Sequence, residues 1–350
     1  MELTIQQTNN TKGVAILMML CLHLFNTRDY IGLFEPLIFI GKNPSTYYVS
    51  LFCDCCVAIY CFCSGYGLYI GFTKKPEIYK RKNYVRIFKL YINYWIILLL
   101  FAVLLGWILN NPGHPGTWQK FILNFVALDP SYNGAWWFFT TYIFLVFASP
   151  VLFKIIIKFN PIIILIISFI IYSLAYIQRI KIPLVFDSYI LNWLFRQMAL
   201  FGTSVFPFII GALFFKYKIY SKIYYIIKTF QFPNILLLLI LLFAIAGHGL
   251  VPSLYVAVFT GIIFIVCFNA LDMPEKLNKL LQFLSKHSTN IWLIHMFFYM
   301  IYFKGIIYAP KNPTLIFTWL VLWCLVASYL VNFIYRIILK PIDKKLKIAS

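Results

Sequence analysis

Acidic side chains are nearly missing from this chain: Asp and Glu total 10 among 350 residues. Charged residues of both signs make up 11%, against about 25% in an ordinary soluble domain. That scarcity excludes a soluble globular enzyme, because 62% of the residues are hydrophobic and fall in long blocks. No linker of biased composition and no internal repeat divides the chain. No secretory signal is seen: Glu2 and a polar stretch precede the first apolar run, and no cleavage site follows it. Nothing reads as an appended soluble domain. Metal-type C-x₂-C spacing is also lacking. Cys53, Cys55, Cys56, Cys61 and Cys63 share one segment, spaced C-x-C-C and C-x-C. Helical residues two apart point about 200° apart, so these thiols do not converge on an ion. They read as small apolar fillers, and no metal is expected.

What is present is a series of spans. The pattern predicts an all-α integral membrane protein with about ten transmembrane helices. They run near 8–26, 47–71, 88–109, 136–158, 160–178, 198–215, 233–250, 253–270, 289–308 and 314–337. The formal charge is +20. In a soluble protein that would raise the question of nucleic acid, but here the positive-inside rule accounts for it. Most Lys and Arg lie at the N-terminus, after even-numbered spans and in the tail, including Lys344, Lys345 and Lys347. Both termini are therefore expected in the cytoplasm.

Within the spans, ionisable residues are candidates for function, since each is costly there. Lys12 and His23 are eleven residues apart in NNTKGVAILMMLCLHLF. That is three helical turns plus about 20°, on one face, with a rise of about 16 Å. Lys12 would sit at the cytoplasmic surface, either as a snorkelling anchor or as a holder of an anion. His23 would lie in the outer half, as a packing residue or as a proton acceptor. Asp54 lies inside the second span, and His23, Arg28 or a backbone group could partner it. Ser64-Gly65 offers close helix contact or close backbone approach to a ligand. Seven cations lie between Lys74 and Lys89, Arg86 among them. They suit anionic lipid, or the phosphates of a nucleotide-like donor. Trp136 and Trp137 fall at an outer boundary, where rings anchor a span or face a sugar. His295 lies in the ninth span, with Ser288 placed to cap its start. His114, His248 and His287, near segment ends, take no role.

In order and spacing these pieces resemble the membrane-bound acyltransferase 3 family over nearly the whole chain. A basic residue, ten others and His matches as Lys12 and His23. Its F-x-x-S-G-[FY] motif is similar to Phe62-Cys63-Ser64-Gly65-Tyr66 with the residues before it. The basic run leads to Tyr94-Trp95. AWWFFTTYIFLVFASPVLF, FPFIIGALFFKYK and HSTNIWLIHMFF resemble further family segments. One departure is Ala58, where the family often has Asp. Asp54 lies one turn away on the same face.

The resemblance implies an O-acyltransferase in the bacterial cytoplasmic (inner) membrane. Acetyl-CoA would be the donor, and a surface polysaccharide or lipid-linked glycan the acceptor. His23 would be base or acyl carrier, with Asp54 beside it. Lys12, Arg86, Lys89, Ser64 and Gly65 would attend the donor, and Trp136, Trp137 and His295 the acceptor side. A flippase for a lipid-linked sugar, or a polysaccharide polymerase, is the competing expectation. Both would need a polar cavity but not the paired Lys12 and His23.

Overall fold

The computed structural model describes residues 2–348, with side chains to 342. Lys344, Lys345 and Lys347, counted above on the inner side, have side chains outside the described residues. Helix α1 (Ile5–Phe25) opens with a capping box. Thr4 Oγ1 accepts from Gln7 N at 3.1 Å, and Gln7 Oε1 from Thr4 N at 3.0 Å. Two of the first turn's orphan donors are satisfied in this way. A short hairpin of β1 (Phe39–Ile40) and β2 (Asn43–Pro44) follows. Then α2 (Ser45–Cys53) and α3 (Cys56–Lys74) form one span broken at Asp54–Cys55. Helix α4 (Pro76–Ile97) begins on Pro, whose fixed φ suits a first turn. It runs through a π segment, Leu98–Leu104, into α5 (Leu105–Ile108). Helix α6 (Trp118–Phe125) lies in the next loop, and α7 (Trp137–Lys158) follows it. Helix α8 (Pro161–Tyr176) ends in a second π segment, Ile177–Lys181. Next come α9 (Tyr189–Lys216), α10 (Ile219–Lys228), α11 (Pro233–Leu250) and α12 (Leu254–Ala270). Helix α13 (Glu275–Met296) enters a third π segment, Phe297–Tyr302. Helices α14 (Lys304–Tyr308) and α15 (Pro313–Ile348) complete the chain.

This is an all-α integral membrane protein. Among the described residues, seven helices are long and apolar enough to cross a bilayer by length and composition. They include the broken α2–α3 span and α4 extended through α5. Three of the ten expected spans fall outside that group. Helix α12 has 17 residues, while α1 and α13 begin with polar turns. Helix α13 starts well before the expected residue 289, because the amphipathic stretch EKLNKLLQFLSK is already helical. Ser288 is therefore mid-helix rather than a cap, and its Oγ donates to Ser285 O at 2.8 Å. The outward faces are apolar, with Ile162, Ile166, Phe243, Val326 and Phe333 all exposed. In water such a surface would drive association; in hydrocarbon it is the solvated face.

Inside, helices meet through glycine. A Cβ on Gly65 would collide with the Phe208 carbonyl, and one on Gly211 with the Phe62 carbonyl. The α3–α9 contact is thus closed reciprocally, backbone on backbone, as small residues allow in membranes. Gly13 of α1 lies in the same way against Leu281 O of α13. Polar side chains then lock the bundle. Asn93 Nδ2 donates to Asn290 Oδ1 at 2.7 Å, and Asn290 Nδ2 to Ser328 Oγ at 2.9 Å. His287 Nδ1 lies 2.9 Å from the same Ser328 oxygen. One network therefore joins α4, α13 and α15.

Gly65→Ala and Gly211→Ala should each cost about 1–3 kcal/mol through forced separation of the helices. The readout is the thermal midpoint in detergent. Gly67→Ala is the control, since a Cβ there meets nothing within 4 Å, and its midpoint should stay at the wild-type value.

Candidate active site

Helices α1 and α13 pack in parallel. Asn10 Nδ2 donates to Asn278 Oδ1 at 2.7 Å near one end of the seam. At the other end the His23 and His295 rings stand 4.9 Å apart. His295 is fully buried, and its Nδ1 donates to Trp292 O at 2.8 Å and Ile291 O at 3.2 Å. That assigns the proton to Nδ1 and a lone pair to Nε2. Among the described residues that Nε2 has no hydrogen-bond partner. Tyr299, in the third π segment, stacks on His295 with ring planes 7° apart. Its Oη lies 3.4 Å from His23 Nδ1. His23 is thus held from the α13 side by an imidazole and a phenol, and its other face opens on a cavity.

That cavity has a volume of about 530 Å³. Lys12, Asn9 and Lys286 line it, as do His23, Asp54 and Arg179. Lys12 and His23 therefore share one lumen. The backbone oxygen of Lys12 accepts from Tyr60 Oη at 3.1 Å, which ties α1 to α3. Asp54 sits at the break in the second span, where the ladder changes to tighter bonds: Asp54 N to Leu51 O at 3.1 Å and Cys55 N to Phe52 O at 3.2 Å. The Cys21 and Cys53 thiols meet beside it, which sets α1 and α2 in register there. Arg179 comes from the π segment after α8. Its guanidinium lies over the Trp137 ring at 4.5 Å, and Nη1 donates to Thr203 Oγ1 at 3.2 Å. Asp54 and Arg179 attract each other electrostatically, without a direct ion pair among the described residues.

A family model described as an acyltransferase domain, acyltransferase 3, matches residues 6–333. The chain belongs to the acyltransferase 3 family. No curated protein and no solved structure matches this chain.

In this acyltransferase the residues singled out from sequence fall into two groups. Lys12, His23, Asp54, Ser64 and Trp137 line the cavity. Among the described residues Gly65, Arg86, Lys89, Trp136 and His295 do not. Arg86 is exposed and donates to Asn83 Oδ1 at 2.7 Å on its own helix. Gly65 closes the contact with α9 described above. His295 stands behind His23. Trp136 is buried rather than interfacial, because its Nε1 is committed to Leu293 O at 2.9 Å. Asn133 Nδ2 reaches the same carbonyl at 3.0 Å. That oxygen is free to accept because Phe297 N turns to Ile294 O and His295 O where the α-helix ends. Asp54 makes no hydrogen bond to His23 among the described residues. Arg179, Lys286 and Tyr299 were not foreseen. Lys286 and Arg179 were visible as cations, but both were counted as loop charge. Tyr299 carried no signal beyond its place four residues after His295.

Trp136→Phe removes one of the two donors to Leu293 O. We expect a loss of about 1–2 kcal/mol, read as a lower thermal midpoint. Trp137→Phe, whose ring carries no such bond, should leave the midpoint within one degree or about that of wild type.

Proposed function

We propose that this acyltransferase moves an acetyl group from acetyl-CoA, on the cytoplasmic side of a bacterial inner membrane, to a hydroxyl of a surface polysaccharide or lipid-linked sugar. The observation that supports it most directly is the shared lumen: two cations, Lys12 and Lys286, at one part of its wall, and a half-buried imidazole, His23, about three helical turns from Lys12. The cations suit the phosphates of CoA. A thin, flexible chain must cover the roughly 16 Å from Lys12 to His23, as a pantetheine arm does. Lys286 takes the place that Arg86 and Lys89 held in the sequence reading, since neither of those lines the cavity.

The chemistry assigned to His23 is that of a general base. With its proton on Nδ1, the imidazole donates to Tyr299 Oη and leaves the Nε2 lone pair free. Nε2 takes the proton of the attacking hydroxyl as its oxygen bonds to the thioester carbon. The C–S bond then breaks, and the thiolate of CoA recovers the proton from the imidazolium. Electrons and protons balance with no further reactant. The dry surroundings of the His23–His295 pair favour neutral imidazoles, which is the state a base requires.

His23→Ala should lower acetyl transfer by about 10²–10⁴-fold, read by mass spectrometry of surface glycan in the native host. Unchanged acetyl content at normal expression would sink the catalytic role. Loss of glycan display rather than of acetylation would point to a transporter. In purified protein, Lys12→Gln with Lys286→Gln should raise KM for acetyl-CoA several-fold with little change in kcat, the mark of lost ground-state binding. Tyr299→Phe keeps the ring stack and removes the phenol, so it should lower kcat while KM stays put.

A further inference from the structure

We propose that the Asp54–Arg179 region of the cavity is the acceptor subsite, and that it takes a neutral, polyhydroxylated sugar ring rather than an anionic one. The proposal rests on the acetyl-transfer reading above and names the acceptor class for the same cavity. Three features of the structure carry it.

The first is the break in the second span. Non-helical backbone at membrane depth persists where it lines a polar cavity, and transporters place polar ligands at such breaks. Here Asp54, Cys56 and Val57 line the lumen at the break itself. The C-terminal end of α2 and the N-terminal end of α3 abut at this point, so their opposite dipole ends largely cancel. The polarity of the region is left to side chains.

The second is the way Arg179 is held. Trp137 supports its face and Thr203 Oγ1 accepts one N–H. Thr203 Oγ1 is itself fixed by donating to Ala199 O at 2.9 Å. The guanidinium has five N–H donors, and those not used by Thr203 have no hydrogen-bond acceptor among the described residues. Asp54 likewise has no hydrogen bond or ion pair to its carboxylate there. Two rigidly placed, opposite charges face one cavity without satisfying each other. A ligand with adjacent hydroxyls would complete both, one hydroxyl donating to Asp54 and its neighbour accepting from Arg179.

The third is the charge balance. One cation and one anion sum to zero here, whereas Lys12 and Lys286 leave their part of the cavity positive. A ligand carboxylate would lose to Asp54 much of what it gained from Arg179. A neutral diol suffers no such opposition. Aromatic side chains complete the wall, with Phe138, Tyr172 and Trp292 beside Trp137, and they supply the flat apolar surface that a sugar ring stacks on.

The test uses the full-length protein in nanodiscs with acetyl-CoA. Thiol release and acetylated product are measured with a panel of methyl hexosides and the matching hexuronates. Wild type should favour the neutral sugars by about tenfold or more in kcat/KM. Arg179→Gln and Asp54→Asn should each raise the acceptor KM while the KM for acetyl-CoA stays put. Their charge signatures should be opposite: Asp54→Asn narrows the gap between hexoside and hexuronate, and Arg179→Gln widens it. Equal or better use of hexuronates by wild type, or a shift of both variants in the same direction, overturns the subsite while acetyl transfer stands. If wild type acetylates neither class, the acetyl-transfer reading falls and takes the subsite with it. Should either variant fail to fold, the wild-type preference alone decides.

Discussion

The parallel seam between α1 and α13 sets the position of everything that follows. It exists because Gly13 has no side chain to hold the backbone of Leu281 away. Backbones this close gain dispersion along the whole contact, which in hydrocarbon replaces the hydrophobic drive available in water. The Asn10–Asn278 bond fixes the register at one end. With register fixed, His23 and His295 must meet at the other end, and the Lys12 face of α1 must turn to the lumen. A wider seam would separate the imidazoles and admit lipid to the space between them.

Polar side chains inside a membrane protein sort by whether their partners are already present. Asn93, Asn290, Ser328 and His287 satisfy one another across three helices, and Trp136 with Asn133 saturates the Leu293 carbonyl. These groups are structural, since the protein supplies their partners. Asp54, Arg179 and the Nε2 of His295 are different: each is held firmly, and each keeps capacity unused among the described residues. Because unsatisfied polar groups are costly in low dielectric, that distinction separates scaffold from site better than residue type does.

The same distinction explains what could be read from sequence. The all-α membrane class followed from block hydrophobicity. The Lys12–His23 spacing was enough to put both on one helix face, since α1 is a regular helix through both residues. Asp54 was visible as an acid inside a span, but not as the point where the span breaks. No Pro or Gly marks that break; tightened bonds at Leu51 and Phe52 make it. Trp136 and Trp137 are adjacent and alike in sequence, yet one is bound to a freed carbonyl and the other supports Arg179. Only tertiary partners separate them. Arg179 and Lys286 were lost because a span was expected to end just before one and begin just after the other, and helix ends are where periodicity is weakest.

The π segments carry one last consequence. Ile177–Lys181 presents Arg179 and Phe297–Tyr302 presents Tyr299. In a π turn the hydrogen bond closes one residue later than in an α turn, so each such turn holds extra chain within nearly the same rise. Conservative exchange of a neighbouring aliphatic residue leaves that geometry alone. Removal of a single residue would not: it would let the helix rewind and rotate whatever follows by about 100°. Around this cavity chain length is therefore as much a property of the site as side-chain identity, and homologous sites here should tolerate changes of letter more readily than changes of count.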